Sequence, residues 1–325
     1  MKKNVLIVLP GHEAFHDIFE DGLDEECTFV YENQKNVSDE LIHWADIVLG
    51  NIFPPERINA APNIKYIALE TAGADAFVKP GVLAPNTVLT NATGVYSKSV
   101  AELGLALTLS LMKNLPFYRD MQSDCCWYGT NRETILASSP EGKVVLIVGL
   151  GDIGLYYARL MKALGSYVIG VKRRASECPE YVDELYTTDK IDVLIGRADV
   201  IFSVLPGTKE TYHFYNREMF AMMKNSAIFI NCGRGASVDT DALCDALDDG
   251  RIASAACDVF EIEPLPKDHR AWKTRNLLIT PHRAGYFTLP DTAEKLARLS
   301  AKNLRAWLKG EPLINVVDFE TGYKK

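Results

Sequence analysis

No stretch of the 325 residues approaches the roughly 18 consecutive apolar residues that a membrane-spanning helix requires. The short apolar run in MKKNVLIVLPGHEAF is broken by Pro10 and Gly11, so it does not read as a secretory signal. Cysteine is sparse and odd in number: Cys27, Cys125, Cys126, Cys178, Cys232, Cys244 and Cys257, with no CxxC pair. That excludes a disulfide framework or a zinc ribbon, and it predicts free thiols in a reducing cytosol. No long basic run occurs, and 35 Lys and Arg against 43 Asp and Glu leave a net charge of -8. Neither nucleic acid nor a membrane surface is therefore expected as a partner. Internal repeats and low-complexity segments are also missing.

What is present is an ordinary globular composition, 47% apolar and 24% charged, on a length that suits about two domains. Short apolar runs at Val5–Leu9, Asp46–Leu49, Tyr66–Leu69 and Val88–Thr90 read as buried strands separated by helical or polar stretches. A second series starts at Lys143 and comprises Val144–Val148, Tyr167–Val171, Val200–Leu205, Ala227–Ile230, Ala255–Val259 and Leu277–Ile279. This alternation predicts α/β architecture with parallel sheets. Between the two series, Ser97–Lys113 reads as a buried helix joining two domains, with Ser97 or Ser99 as its cap and Glu102 closing a capping box. Residues Leu115–Pro140 read as irregular, either an arm on a partner subunit or a surface excursion. Asp291–Leu308 has helical spacing ended by Gly310.

Gly149, Gly151 and Gly154 have GxGxxG spacing, after a strand-like run and at the start of a helical one. That context predicts a dinucleotide site: Gly149 for the tight turn, Gly151 for approach of the pyrophosphate, Gly154 for helix–strand packing. The amides of Asp152, Ile153 and Gly154 would then face the phosphates. At the end of the next strand, where NAD sites place a carboxylate, stand Lys172, Arg173 and Arg174, with no acidic residue between Asp152 and Glu177. These cations suit a 2'-phosphate, so NADP is favoured, with NAD as the alternative.

Three motifs follow, each just past a strand-like run: Asn231-Cys232-Gly233-Arg234-Gly235, Asp258-Val259-Phe260-Glu261-Ile262-Glu263-Pro264 and Thr280-Pro281-His282. In open α/β sheets, residues there converge on a ligand crevice. With Thr71-Ala72-Gly73-Ala74-Asp75, Val100-Ala101-Glu102, the stretch Leu205–Thr211 and Gly310–Asn315, the sequence resembles the D-isomer-specific 2-hydroxyacid dehydrogenases over nearly its whole length. The resemblance implies that Arg234 binds the substrate carboxylate and polarises its 2-keto oxygen. It makes His282 the proton donor or acceptor and Glu263 the residue that orients it. Ala72 and Gly73 would offer backbone amides to the carboxylate. Asp258 would lie near the nicotinamide, and Pro206, Thr211, Cys232 and Gly233 would border the cofactor.

The expected protein is a cytoplasmic homodimer of two doubly wound parallel-sheet domains, Rossmann-like and flavodoxin-like, with the active site in the cleft between them. The cofactor domain is expected at 99–288 and a discontinuous substrate or lid domain at 1–98 plus 289–325. The partner is a small 2-keto or 2-hydroxy acid, whether glyoxylate, hydroxypyruvate, pyruvate or a bulkier acid. Two features depart from the family pattern: the missing acid after the second cofactor strand, and Arg283 where an apolar residue is usual. Arg283 reads either as a cation reaching into the cleft or as one pointing to solvent.

Three other readings compete. His12-Glu13-Ala14-Phe15-His16 spells the HExxH zinc-protease pattern, but Pro10-Gly11 precedes it and no third-ligand motif follows. A non-enzymatic, cofactor-sensing binder of the same fold would keep the same residues. A phosphite-type dehydrogenase would keep a similar trio, whereas Glu263 argues against a formate-type relative.

Overall fold

The computed structural model describes residues 2–59, 61–84, 86–127, 136–320 and Gly322. The chain divides into two compact units, Met1–Tyr96 with Phe287–Lys325, and Ser97–Tyr286.

In the first unit, the described strands are β1 (Lys3–Ile7), β2 (Cys27–Tyr31), β3 (Ile47–Leu49), β4 (Tyr66–Ala68) and β5 (Val88–Thr90), in the order β2-β1-β3-β4-β5. Every pairing is parallel. Leu6, Val48, Ile67 and Leu89 are buried, as a sheet covered on both faces demands. The chain returns to this unit at its end. Helix Thr292–Lys309 stops at Gly310, whose φ of 70° is left-handed. Its Trp307 stacks on Tyr66, ring centroids 5.8 Å apart, and the Val317 amide donates to the Leu89 carbonyl.

In the second unit, the described strands are β6 (Val144–Val148), β7 (Tyr167–Lys172), β8 (Glu184–Thr187), β9 (Val200–Ser203), β10 (Ile228–Asn231), β11 (Ser254–Cys257) and β12 (Leu277–Ile279). They form one parallel sheet in the order β12-β11-β10-β9-β6-β7-β8. The strand order reverses between β6 and β9, which makes their carboxyl ends the topological switch point.

Two local readings of the sequence need correction, and the reading that rejects a continuous HExxH helix agrees with the structure. Leu115–Ser123 is helical rather than irregular, with Pro116 in its first turn, where proline costs no hydrogen bond. The predicted capping box does not form. Ser99 lies inside helix Ser97–Met112 and its Oγ donates to the Ala284 carbonyl at 2.6 Å, while Glu102 pairs with Lys98. The HExxH residues do not make one helix: His12–Ala14 is a 3-10 turn and the α-helix begins at His16.

Helix Ser97–Met112 packs on helix Asp152–Ala163 and on the underlying sheet. Its Thr108 hydroxyl is 2.7 Å from that of Tyr157, whose ring stacks on Phe202 with 3.8 Å between centroids. Gly104 makes the approach possible, since a Cβ there would sit 2.5 Å from the Phe202 ring. Because the ring is itself clamped by Tyr157, Gly104→Ala should destabilise the protein by about 1–3 kcal/mol. Urea denaturation measures this; an unchanged midpoint would show that the ring moves freely.

Candidate active site

All seven strands of the second sheet run parallel, so the loops after their carboxyl ends emerge along one edge. The cofactor candidates come first. At Gly149, φ is 102°, and a Cβ would lie 2.7 Å from the Val204 carbonyl oxygen. A Cβ on Gly154 would meet the Gly149 carbonyl oxygen at 2.7 Å, so that glycine lets the helix close on its strand. Gly151 has nothing within 4 Å of a would-be Cβ. Its bareness serves no packing inside the chain and leaves open a cradle above the amino end of helix Asp152–Ala163. The residues present therefore fit a dinucleotide.

Lys172, Arg173 and Arg174 follow directly at the end of β7. Lys172 donates to the Ser176 hydroxyl at 3.1 Å. Among the described residues, none of the three is in a salt bridge. The neighbouring turn is closed by Thr211, whose hydroxyl donates to the Pro206 carbonyl at 2.5 Å and accepts from the Thr208 amide at 2.9 Å. Its backbone, and that of Pro206, are thus fixed from within. Cys232 is buried, and burial pushes its thiol well up. Gly233 fits because a Cβ would lie 2.7 Å from the backbone of Leu205.

The strands β10, β11 and β12 are neighbours, so Arg234, Glu263 and His282 emerge side by side. Two contacts bind their loops together. A Cβ on Gly235 would lie 1.9 Å from the Phe260 carbonyl carbon, so the two backbones touch. The buried Asp258 carboxylate accepts from the Thr280 hydroxyl at 2.6 Å and from the Arg283 and Ala284 amides at 2.9 Å each, gripping the chain on both sides of His282. The His282 amide donates to the Asp258 carbonyl at 2.8 Å, and His282 takes a left-handed φ of 51°.

The outcome is a pair: Glu263 Oε2 lies 2.6 Å from His282 Nδ1, while Glu263 Oε1 accepts from the Phe260 amide at 2.9 Å. Burial alone would raise the Glu263 carboxyl. The hydrogen bonds from His282 and Phe260, with the charges of His282 and Arg234, outweigh that and hold it below its ordinary value. This stabilisation is present above the ordinary carboxylate value and is lost as the pH falls from there through the lowered folded-state value. Arg234 is braced by its own loop: Nη1 donates to the Gly233 carbonyl at 3.0 Å, and its carbonyl accepts from Ser237 Oγ at 2.7 Å. The Arg283 guanidinium lies over the Tyr286 ring, 4.9 Å from its centroid.

In the first unit, Thr71, Ala72 and Gly73 follow β4. Their carbonyls are all engaged, by the Ala92 amide at 3.0 Å, Asn91 Nδ2 at 2.7 Å and the Thr71 hydroxyl at 2.8 Å. Their three amides donate to no group among the described residues. Successive amides without acceptors, beside carbonyls that are pinned, are donors left available for an anion. Sequence reasoning missed Asn91, Thr280, Ser99 and Gly235 as supports, because each acts on a partner remote in sequence or through the absence of a side chain.

Residues 105–284 match the family described as D-isomer specific 2-hydroxyacid dehydrogenase, NAD binding domain. A glyoxylate reductase from Thermofilum pendens is 35% identical over 262 residues, covering 79% of this chain and 75% of that protein. The crystal structure of a D-isomer specific 2-hydroxyacid dehydrogenase family protein from Aeromonas salmonicida superposes with a TM-score of 0.86 at 29% identity, over 98% of this chain and all of that one. Another, a D-isomer specific 2-hydroxyacid dehydrogenase from Xanthobacter autotrophicus in complex with NADPH and MES, gives 0.83 at 26% identity, over 99% of this chain and all of that one. The family match takes in more than half of the sequence, and the protein belongs to the D-isomer specific 2-hydroxyacid dehydrogenases.

Proposed function

We propose that this protein reduces a small 2-keto acid to the D-2-hydroxy acid with NADPH in preference to NADH. The observation that carries the proposal is the 2.6 Å Glu263–His282 contact, set beside the Arg234 charge at a dinucleotide-type sheet edge. The glyoxylate reductase relative supports a small keto acid as substrate, and the NADPH-bound relative supports the cofactor.

The Gly149–Gly154 turn would hold a nicotinamide dinucleotide, which would supply the hydride for C2 of the keto acid. Arg234 holds the substrate carboxylate through its planar fork and polarises the keto oxygen, with the amides of Ala72 and Gly73 assisting. Because Nδ1 of His282 is committed to Glu263, the transferable proton sits on Nε2, which gives it to the oxygen on C2. Glu263 stays ionised and steadies the imidazolium before the proton leaves. In the oxidative direction the same nitrogen takes the proton back. Asp258 acts by holding the His282 loop. Lys172 and Arg173 receive the 2'-phosphate.

The same reading makes the protein a cytoplasmic homodimer. All seven cysteines are unpaired, as a reducing compartment allows. Helix Leu115–Ser123 exposes Leu115, Phe117 and Tyr118, and Trp127 beyond it is 90% exposed, an apolar surface suited to a second copy. The remainder of the proposed arm, 128–135, lies outside the described residues.

Three outcomes follow. His282→Asn should lower kcat roughly 100- to 10,000-fold while NADPH still binds, read by cofactor fluorescence beside steady-state rates; normal turnover would remove the proton-transfer role. Lys172→Ala with Arg173→Ala should weaken NADPH roughly tenfold or more and leave NADH unchanged in equilibrium titrations; an intact preference for NADPH would refute the phosphate clamp. Leu115→Ser with Phe117→Ser should convert a dimer to monomer in sedimentation equilibrium, and an unaltered mass would take that helix out of the interface.

A further inference from the structure

Glu70 stands immediately before the free amides of Thr71, Ala72 and Gly73. Its backbone is fixed on both sides: its amide donates to Asn51 Oδ1 at 3.1 Å, and its carbonyl accepts from the Tyr96 hydroxyl at 2.5 Å. Its side chain is served far less well. Oε1 lies 3.5 Å from Gln34 Nε2, which makes a better bond of 2.7 Å to the Asn51 carbonyl. Oε2 is buried with no hydrogen-bond partner among the described residues. A carboxylate that has lost its water without gaining donors is costly to keep charged. Burial accordingly lifts the Glu70 carboxyl to about 7, with Gln34 and the Asn51 backbone offsetting only part of the rise.

Among the described residues, the side chains bonded to Glu70 are the Gln34 amide after β2, on its carboxylate, and Asn51 after β3 and the Tyr96 hydroxyl after β5, on its backbone. These are amides and hydroxyls, uncharged at neutral pH. Among the described residues no cation forms a salt bridge with Glu70. An ionised Glu70 therefore places a negative charge, unpaired by any cation among the described residues, directly before three amides available to an anion.

We infer that Glu70 is a titrating positioning residue that couples anion binding on the Thr71–Gly73 amides to uptake of a proton: the neutral side chain permits binding and the ionised one opposes it. The inference rests on the reading of that loop as the substrate carboxylate site. The sign follows from linkage. A carboxyl raised in the folded state contributes stability below its ordinary value, and that stability is lost as the pH rises to about 7. An anion bound nearby raises the carboxyl further, so binding draws in a proton.

The probe is oxamate, a non-reacting keto-acid analogue, titrated calorimetrically into the NADP-loaded protein at pH 6 to 8 in two buffers of different ionisation enthalpy. The His282→Gln background removes the imidazole's own proton. There, affinity should fall roughly five- to tenfold from pH 6 to 8, the scale of a nearby charge at a high effective dielectric, with proton uptake on binding. Adding Glu70→Gln should abolish both, and should flatten the decline in ligand-free melting temperature between about pH 4.5 and 7. Gln34→Leu, which keeps Glu70 but removes the side-chain donor to its carboxylate seen among the described residues, should move the affinity midpoint to higher pH. An unchanged slope and unchanged proton uptake in Glu70→Gln would overturn the inference, as would a fixed midpoint in Gln34→Leu. Oxamate binding at no pH in any variant would instead overturn the carboxylate-site reading, and the Glu70 inference with it.

Discussion

The chemistry of the second unit depends on how closely two loop backbones can approach. Gly235 lies against the carbonyl of Phe260 with no room for a methyl group. That contact draws the loop bearing Arg234 onto the loop bearing Glu263, and Asp258, from the same second loop, grips the segment bearing His282. Three side chains from three adjacent strands are thereby held by backbone contacts and a buried carboxylate, rather than by the strength of their own interactions. Such support turns a chain-wide fold into a site with fixed geometry.

Electrostatics then assign the roles. Glu263 is partly buried, which by itself favours the neutral acid, yet the hydrogen bonds from His282 and Phe260 and the charge of Arg234 help hold it below its ordinary value. Glu70, also buried, lacks such partners and is pushed the other way. Two carboxyls of one chain are driven apart by the donors around them. The ionised one faces an imidazole, and the other precedes the three free amides of Thr71, Ala72 and Gly73.

Much of the architecture was legible in the sequence because parallel strands covered on both faces must be apolar throughout. Val144–Val148, Val88–Thr90 and Leu277–Ile279 coincide with β6, β5 and β12. The two strands that were not anticipated, β2 and β8, are each at a sheet edge. Half-exposed, with Thr28 and Glu184 among their residues, they do not read as fully buried strands. Helix Leu115–Ser123 escaped because none of its residues is buried, so no apolar stripe marks it. The residues proposed for the site were readable from motif and strand order, since glycines in tight turns and charged groups after strands leave local signatures. Their supports were not: Ser99 reaches Ala284 across 185 positions, and Asp258 grips the His282 loop from a neighbouring strand.

The central claim is geometric, and the most direct measurement is a crystal structure of the protein with NADP and oxamate. The account predicts the inhibitor's carboxylate on the Arg234 guanidinium and its amide carbonyl oxygen, which stands in for the keto oxygen, within about 3 Å of His282 Nε2, with Glu263 still bonded to Nδ1. An inhibitor seated away from Arg234, or a His282 ring turned from Glu263 once the ligands are bound, would contradict it.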